Sequence, residues 1–562
     1  MTPLRFHILL GLLAAPLAAQ DHLYTITGTA PNLRSGFSAV GLGDVNADGY
    51  GDFVVAQPGF AGNAGRVLVY SGQTGLALRT IADGVGAEQF GWSAANVGDL
   101  DGDQVADFVV GAPFADVPTT GQSVLVDAGR VVAYSGKTGK VLHTWKGPFA
   151  RSIFGISVGP AGDVDKDGTP DVIVGAHGVG THGVNAGGAF VFSGKDGSKL
   201  WTFLGDDAFD FFGHSVANFG DVDGDGHSDL VVGAPDDDNG GNGESGMARV
   251  YSGKTGLVLK TFNGDAASDF FGHSVRNAGD VNNDGSDDLI VGAGQFFVTQ
   301  GKGYARVYSG KDFSVLHTLP GSTVGDFFGE PVEGLGDIDG DGFDDLLVGA
   351  HRADPGGRID AGMVYAFSGK TGSELFRWSG AKAGDFFGNF VTPAGDVNGD
   401  GTPDLIVGAP GVSIGGSSGG AATVFSGKLL KLRASSHDIS LMEGGEHVLS
   451  LRAGVANKGL FYLIQGSMSG TNPGLRLPPS NLLLPLNADA YLTFTLTSPN
   501  SMITASLGFL NAKGEATARI SVPKGFLPFL ADSQLHHAYT VFDLTKLSVE
   551  TTSNAVPLHF RK

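Results

Sequence analysis

The chain has 562 residues, of which 41% are hydrophobic, and a formal net charge of −22. This length and hydrophobic share allow more than one packed domain, and the negative charge argues against nucleic acid or an anionic membrane surface as a partner. The chain has no cysteine, which excludes disulfides, thiolate metal sites and cysteine catalysis.

The first twenty residues have the layout of a secretory signal peptide. Arg5 gives a short basic start, an apolar run extends from Ile8 to Leu13, and small residues end the segment at Ala18 and Ala19. We therefore predict a signal peptide over residues 1–20 and a secreted or cell-surface location. This apolar run and every later one are too short to cross a bilayer, so we expect no membrane span.

A unit of roughly 60 residues repeats seven times between residues 21 and 428. In the fourth unit, an acidic loop begins at Asp221 and is followed by DLVVGAP (229–235), a glycine-rich loop and the turn SGKTG (252–256). Each unit holds four short runs rich in Val, Leu, Phe and Tyr, bounded by Gly, Asp and Ser, which is typical of β-strands. The repeat predicts an all-β fold, a seven-bladed β-propeller.

The two ends of the repeat region are predicted to meet in one blade. LYTITG (23–28) matches the fourth-strand pattern of later units, whereas the last unit has no such run after SGK (426–428). We therefore expect the N-terminal strand to complete the seventh blade. Closing the ring in this way removes the exposed edge that an open sheet would present.

The acidic loops follow the pattern D-x-[DN]-x-D-x-x-x-D, with ligand-type residues at positions 1, 3, 5 and 9. Clustered carboxylates repel one another unless a hard cation joins them, and Ca²⁺ prefers six to eight oxygen ligands. An EF-hand would need a bidentate Glu at position 12 and flanking helices, but position 12 is apolar, as at Val232. We therefore predict strand–loop–strand Ca²⁺ sites, up to seven of them, one per blade.

The predicted ligands are Asp44, Asn46, Asp48 and Asp52; Asp99, Asp101, Asp103 and Asp107; Asp163, Asp165, Asp167 and Asp171; Asp221, Asp223, Asp225 and Asp229; Asp280, Asn282, Asp284 and Asp288; Asp337, Asp339, Asp341 and Asp345; and Asp396, Asn398, Asp400 and Asp404. Position 6 is glycine in six loops, where the reversal favours a residue without a Cβ. Gln104 takes this place in the second loop, which leaves a metal-free turn as the alternative there.

Two short motifs frame each acidic loop. FG precedes it, as at Phe90–Gly91 and Phe212–Gly213, and GAP follows it, as at Gly111–Pro113 and Gly233–Pro235. The joined motifs resemble FG-GAP repeats, the modules of the integrin α-subunit N-terminal β-propeller. The resemblance covers roughly residues 23–428 and implies seven blades with Ca²⁺ in the loop between the first and second strands. The first unit departs from the pattern, with GFSAV (36–40) and AQP (56–58).

Residues 429–562 lack the acidic loop. They contain alternating runs such as YLTFTLTS (491–498) and ATARISV (516–522), separated by proline and asparagine turns. The pattern predicts a second, small all-β domain resembling a β-sandwich.

These observations favour a secreted, calcium-binding adhesion or binding module without catalysis, whose partner is an extracellular protein or glycan. The variable loops between second and third strands share the face opposite the acidic loops, where function tends to concentrate. The residues of interest there are Phe296, Phe297, His351, Arg352 and Asp236–Asp238.

Two alternatives stay open: an extracellular enzyme acting on polysaccharide, and a purely structural envelope protein. Fold does not fix function. An enzyme would need His, Asp, Glu or Tyr groups around the central channel that differ from blade to blade, and the sequence shows no such set. His214 and His273 occupy the same repeat position, which favours a structural role for both.

Overall fold

The structure is a computed structural model. It describes residues 22–119, 123–239, 241, 243–295, 301–414 and 417–427, together with separate short segments between 432 and 561. The predicted signal peptide and the loop residues Phe296 and Phe297 lie outside the described residues. Apart from the four-residue turn α1 (Phe60–Asn63) and the 3-10 turn Pro355–Gly357, the described elements are strands, which confirms the all-β prediction. No helix in the described ranges is long and apolar enough to cross a membrane.

The strands of the repeat region follow one plan. After β1 (His22–Thr27), the first unit contains β2 (Ala39–Gly43), β3 (Asp52–Gln57), β4 (Arg66–Tyr70) and β5 (Ala77–Ile81). The second contains β6 (Ser93–Gly98), β7 (Asp107–Ala112), the small hairpin β8 (Val117–Pro118) and β9 (Val124–Leu125), then β10 (Arg130–Tyr134) and β11 (Val141–Lys146). The third contains β12 (Ser157–Gly162), β13 (Asp171–Gly175), β14 (Gly188–Phe192) and β15 (Lys199–Leu204).

The remaining units repeat this order. The fourth contains β16 (Ser215–Gly220), β17 (Asp229–Ala234), β18 (Met247–Tyr251) and β19 (Val258–Asn263). The fifth contains β20 (Phe271–Gly279), β21 (Asp288–Ala293), β22 (Tyr304–Tyr308) and β23 (Val315–Pro320). The sixth contains β24 (Val332–Gly336), β25 (Asp345–Ala350), β26 (Met363–Phe367) and β27 (Glu374–Ser379). The last contains β28 (Phe390–Gly395), β29 (Asp404–Ala409), the small hairpin β30 (Ser413–Ile414) and β31 (Ser417–Ser418), then β32 (Ala421–Phe425).

Each unit forms a four-stranded antiparallel sheet in which neighbours along the chain pair. The second strands are buried along their whole length, as expected for continuous apolar runs such as DLVVGA. The last sheet has the order β1-β32-β29-β28. In it, β1 pairs antiparallel with β32, so that Thr27 faces Ala421 and His22 faces Phe425. This pairing confirms that the N-terminal strand completes the last sheet.

The first strands of the seven sheets contact one another in chain order, and β28 contacts β2. Between them lies a cavity of about 320 Å³, lined by residues of these strands such as Asn96, Asn218 and Glu333. The first and last units also share a backbone hydrogen bond of 2.8 Å from Gly51 N to Asp396 O. These contacts give the repeated sheets a propeller-like arrangement.

The FG phenylalanines pack between neighbouring sheets. Phe212 is fully buried in a cluster that joins residues of the third and fourth sheets, including Val191 and Val232. Its backbone forms a bridge with Gly187. Gly187 has a φ of 91°, and a Cβ there would lie 2.1 Å from the Phe212 carbonyl oxygen, so only glycine fits. The recurrence of FG therefore reflects packing between sheets.

The described strands beyond residue 431 form a separate set. They are β33 (Leu432–Ala434), β34 (Asp438–Ser440), β35 (Gly445–Arg452), β36 (Phe461–Ser467), β37 (Leu475–Leu477), β38 (Leu482–Leu484), β39 (Ile503–Thr504), β40 (Leu507–Phe509), β41 (Glu515–Val522), β42 (Gln534–Asp543), β43 (Ser548–Thr552) and β44 (Val556–Arg561). One sheet has the order β33-β35-β41-β39, and another has β34-β44-β42-β36-β40 with β43 beside β42. Residues 429–562 belong to a unit distinct from 21–338 and 342–428. That the two larger sheets make a sandwich stays a prediction.

Candidate metal centres

The acidic loops join the first and second strands of the seven repeated sheets, and their backbones adopt one conformation. At position 6, φ lies between 68° at Gln104 and 89° at Gly285 in all seven loops. This left-handed region is readily accessible to glycine and costly for most other residues. The sequence pattern therefore encodes a specific backbone shape in addition to a set of carboxylates.

Backbone N–H groups orient the carboxylates inside each loop. In the fourth loop, Asp221 Oδ1 accepts from Asp225 N at 2.9 Å and Asp221 Oδ2 accepts from Gly226 N at 2.8 Å. Asp223 Oδ1 also accepts from Asp225 N, at 3.1 Å, and Asp225 Oδ1 accepts from His227 N at 3.0 Å. Corresponding bonds to the position 1 carboxylate occur in the other loops. The position 1 carboxylate of every loop is thus held in place by the loop's own backbone.

In each of four loops, one oxygen from each of three carboxylates lies within 4.8 Å of the oxygens of the other two. The groups are Asp99, Asp101 and Asp107; Asp163, Asp165 and Asp171; Asp221, Asp223 and Asp225; and Asp337, Asp339 and Asp345. In the other three loops, asparagine takes position 3 and contributes a carbonyl oxygen in place of a carboxylate. Oxygen-rich clusters of this kind suit hard cations such as Ca²⁺, so the loops could hold a metal.

The carboxylate at position 9 has a second role that the spacing alone does not reveal. Asp229 is fully buried at the start of β17. Its Oδ2 accepts from Val222 N at 2.9 Å, and its Oδ1 accepts from Gly253 N at 3.0 Å in the turn between the third and fourth strands. The same two bonds occur at Asp52, Asp107, Asp171, Asp288, Asp345 and Asp404. This residue therefore ties the acidic loop to the SGKTG-type turn, so both lie on one face.

When no cation is bound, burial raises the pKa of six position 9 carboxyls: Asp52, Asp107, Asp171, Asp229, Asp288 and Asp404. Desolvation is the main cause, and hydrogen bonds from the backbone partly offset it. The pKa rises to about 7 at Asp171 and Asp288, and to about 6 at Asp107, Asp229 and Asp404. A divalent cation would favour the charged form of these carboxyls. A bound ion would therefore offset the free-energy cost of burying their charge.

Asn282, at position 3 of the fifth loop, supports the fit of a cation. Its Oδ1 is buried and has no hydrogen-bond partner among the residues that the structure describes. A buried acceptor without a partner carries a desolvation cost, and an amide carbonyl oxygen is an ordinary Ca²⁺ ligand. The residues present therefore fit a hard cation.

Lysines of the adjacent turns approach three of the loops. Lys137, Lys195 and Lys254 lie 3.8, 3.7 and 4.0 Å from the position 5 carboxylates. Because these lysines are at least half exposed, the ion pairs are screened and contribute little. They do not replace a divalent cation inside the loop.

Gln104 does not alter the second loop. Asp99 accepts hydrogen bonds from Gly102 N, Asp103 N and Gln104 N at 2.8, 3.1 and 2.8 Å. Gln104 itself adopts a φ of 68°, so the loop keeps its shape at the cost of a strained residue. The second loop is as well formed as the loops with glycine.

The variable loops contact the FG crossings, away from the acidic loops. In this region His351 is 7% exposed, and its ring contacts Phe327 edge-on at a centroid distance of 5.5 Å. The Arg352 guanidinium lies over Phe327 at 5.0 Å and over Phe386 at 5.7 Å. Burial raises the pKa of Asp236 to about 6. Of the residues of interest, the structure thus places His351 and Arg352 on the face predicted for them, whereas Phe296 and Phe297 lie outside the described residues.

That the central channel carries no blade-specific catalytic set stays a prediction. The structure does bring together one group of titratable side chains that the sequence did not reveal as neighbours. The residue that follows FG differs between units, and three of these residues, His214, His273 and Glu330, lie next to one another with His177. They come from four successive units, so spacing along the chain did not reveal their contact. The change of residue type after FG was the available signal.

Comparison with known protein families finds six matches in the chain. The model described as "FG-GAP repeat" matches residues 36–70, 90–134, 212–251, 271–308, 333–367 and 387–425. The third unit is not among the matches, although its sheet has the same four strands.

Several integrin alpha subunits are similar over part of the chain. Integrin alpha-5 of Xenopus laevis is 36% identical over 219 residues, which cover 36% of this chain and 20% of the integrin. Integrin alpha-V of Gallus gallus is 32% identical over 240 residues, 40% of this chain and 22% of the integrin. Integrin alpha-PS5 of Drosophila melanogaster is 31% identical over 270 residues, 45% of this chain and 26% of the integrin. The chain therefore matches about a fifth to a quarter of each relative's length.

Proposed function

We propose that this chain, which belongs to the FG-GAP repeat proteins and resembles integrin alpha subunits, is a secreted calcium-binding propeller that acts as an adhesion or binding module without catalysis. The observation that carries the proposal is the sevenfold recurrence of one loop conformation with oxygen ligands at positions 1, 3, 5 and 9. A single loop of this type would be weak evidence, because Asp and Gly also dominate ordinary turns.

The proposed architecture is a ring of seven blades over residues 21–428. Seven sheets of the same order support it, as do the contacts that run from β2 through β28 and back to β2. Pairing of β1 with β32 joins the two ends of this region within one sheet. The domain over 429–562 is proposed to be a small β-sandwich.

Each blade is proposed to hold one Ca²⁺ through the oxygens at positions 1, 3, 5 and 9 and the backbone carbonyl at position 7. The ion would neutralise carboxylates that otherwise repel one another within a few ångströms. It would also keep charged the buried position 9 carboxylate, which already joins the loop to the neighbouring turn. Ca²⁺ therefore acts here as a structural ligand that stabilises the first hairpin of each blade.

Thermal unfolding tests the metal proposal directly. The melting temperature is expected to fall strongly when EDTA replaces millimolar Ca²⁺, because the ions bind the folded state alone. Restoring excess Ca²⁺ should restore the melting temperature, and Mg²⁺ at the same concentration should restore less of it. Identical melting curves in EDTA and in Ca²⁺ would contradict the proposal.

The proposed partner is an extracellular protein or glycan that binds the face of the variable loops. Support comes from the position of these loops, which lie opposite the seven acidic loops and vary in length and composition from unit to unit. Secretion is proposed from the layout of residues 1–20.

A glycan and extracellular-protein array tests the partner. A binding module should retain specific partners in Ca²⁺ and lose them in EDTA. Arg352→Ala, on the variable-loop face, should weaken a confirmed interaction, whereas Lys254→Ala, on the opposite face, should leave it unchanged. If Lys254→Ala weakened the interaction and Arg352→Ala did not, the partner would bind the face of the acidic loops, which would contradict the proposal.

A further inference from the structure

A charged pair lines the cavity between the first strands. Arg276 lies on β20 and Glu333 on β24, and both side chains reach the cavity. Arg276 Nε donates to Glu333 Oε2 at 3.2 Å. The two side chains are 30% and 17% exposed, so neither charge is sealed inside the protein. The pair therefore joins the fifth and sixth units at the wall of the cavity.

The two charges are particular to these units. Both residues stand four places before the first aspartate of their acidic loop. The other five units have uncharged residues at this place, and all five line the same cavity: Val40, Ala95, Gly159, Ala217 and Thr392. Their sheets nevertheless have the same four strands. The fold therefore does not require a charged residue at this place.

Stability does not account for the pair either. A strong arginine–carboxylate pair is bidentate, whereas Arg276 and Glu333 share one hydrogen bond. Burial raises the pKa of Glu333 to about 7, and the attraction and hydrogen bond of Arg276 offset this rise only in part. Removing two charges from water costs free energy that a single contact of this kind does not offset.

Hydrogen-bonding groups remain for a ligand. Arg276 Nη1 donates to the Val275 carbonyl oxygen at 2.8 Å, and no hydrogen bond within the described residues uses Arg276 Nη2. Asn218, which also lines the cavity, accepts through Oδ1 from Asn277 Nδ2 at 3.2 Å. The cavity thus presents N–H donors beside the Glu333 carboxyl group.

The rest of the lining and the size of the cavity limit the class of ligand. Much of the wall is apolar, with Phe390, Val158 and Pro160 among its residues. The charges of Arg276 and Glu333 cancel, which favours a neutral ligand over an anion or a cation. A volume of about 320 Å³ lies at the small end of ligand pockets, which span about 300–1,000 Å³.

We propose that this cavity binds one neutral, polyhydroxylated molecule of the monosaccharide class, with neighbouring hydroxyls hydrogen-bonded to Arg276 and Glu333. A hydroxyl both donates and accepts, so one can accept from the guanidinium while the next donates to the carboxylate. The C–H face of the sugar ring would lie against the apolar wall. The site lies between the first strands and does not rest on the partner proposed for the variable-loop face.

Saturation-transfer NMR and titration calorimetry of the full chain in millimolar Ca²⁺ test the site. The probes are free glucose, galactose, mannose, N-acetylglucosamine and fucose, and a set of free amino acids represents zwitterions. At least one sugar should bind, at one site per chain. Combining Arg276→Ala with Glu333→Ala should weaken that binding by about tenfold or more, because hydrogen bonds to charged groups are lost.

The double variant should fold, because Ala95 and Ala217 already stand at the same place in two other units. Circular dichroism and melting in Ca²⁺ check this, and Glu333→Gln, which keeps the side-chain shape, should also weaken binding. The matched control combines Glu374→Ala with Arg377→Ala, which removes an ion pair on β27 and should leave binding unchanged. The site would be overturned if no sugar binds the folded chain, if amino acids bind and sugars do not, or if the folded double variant binds sugar as tightly as the unaltered chain.

Discussion

In the fourth acidic loop, positions 9 and 3 are both aspartate but have different surroundings. Asp229 is buried and accepts two backbone hydrogen bonds from separate turns, whereas Asp223 is exposed and accepts within its own loop. Asparagine already stands at position 3 in three loops, at Asn46, Asn282 and Asn398. Amide and carboxylate should therefore be exchangeable at position 3 and not at position 9.

Asp229→Asn should lower the free energy of unfolding by about 1–3 kcal/mol, in EDTA as well as in Ca²⁺. In either orientation the amide NH₂ faces a backbone N–H, of Val222 or of Gly253, so one buried donor loses its acceptor. Asp223→Asn is the matched control and should change stability by less than half as much. Urea unfolding measures both, and equal effects would show that position 9 does not act as a structural tie.

Gln104 stands at position 6, where the other six loops have glycine, although the loop backbone there is left-handed. Its φ of 68° is left-handed, so Gln104→Gly should raise the free energy of unfolding by about 1 kcal/mol. Gly168→Gln, at the same position of the third loop, should lower it by about as much, because a Cβ there has no atom within 4 Å and only the backbone is strained. Urea unfolding should give changes in the free energy of unfolding that have opposite signs for the two substitutions. Changes of the same sign would show that backbone strain at position 6 does not determine the stability of these loops.

Much of the site could be predicted at the scale of single residues, because seven copies of the loop place Asp, Asn and Gly at fixed offsets. The tie from Asp229 to Gly253 could not be predicted from those offsets, since it depends on a turn 24 residues away that the fold brings alongside. The contact of His177 with His214 was missed for the same reason: the partners lie in different units. Local spacing reveals contacts within a loop but not contacts between units.

At the scale of elements, β1 is the strand whose place depends on the whole repeat region. Three of its six residues are exposed and three are partly buried, and it pairs with β32, which lies at the other end of the repeat region in sequence. Its position was predictable because the last unit lacks a fourth strand and the N-terminal segment carries that strand's pattern. The strand order of the sheets was predictable as well, since each unit repeats the same four apolar runs.

Deletion of residues 22–27 should therefore expose the edge of β32. Unpaired strand edges promote association, so the shortened chain should melt at a lower temperature and form concentration-dependent oligomers. Differential scanning calorimetry and light scattering coupled to size exclusion measure the two effects. A chain that begins at Asp21 is the control. An unchanged melting temperature together with a monomeric mass would show that β1 does not close the last sheet.

At the scale of the whole molecule, the buried carboxyls at position 9 make stability depend on pH and metal together. In the folded, metal-free chain the pKa of five of them, Asp107, Asp171, Asp229, Asp288 and Asp404, lies at about 6 to 7, above the ordinary value of 3.8. The folded state therefore binds more protons than the unfolded state between these values, and stability falls as pH rises through that window.

In EDTA, the melting temperature should be higher at pH 5.5 than at pH 7.5. In millimolar Ca²⁺ the order should reverse, because the ions keep the carboxylates charged and protons compete with them at the lower pH. Calorimetry at both pH values, with and without Ca²⁺, measures the four melting temperatures. A metal-free chain that is more stable at pH 7.5 would contradict the assignment of raised pKa values to these carboxyls.

The number of calcium ions bound per folded chain tests the central claim most directly. Equilibrium dialysis followed by atomic emission should give seven Ca²⁺ per chain, one for each acidic loop, and six after Asp223→Ala and Asp225→Ala are combined in the fourth loop. Circular dichroism confirms that the dialysed chain is folded. A folded chain that binds no Ca²⁺, or one whose Ca²⁺ count is unchanged by the paired substitution, would contradict the assignment of the acidic loops as calcium sites.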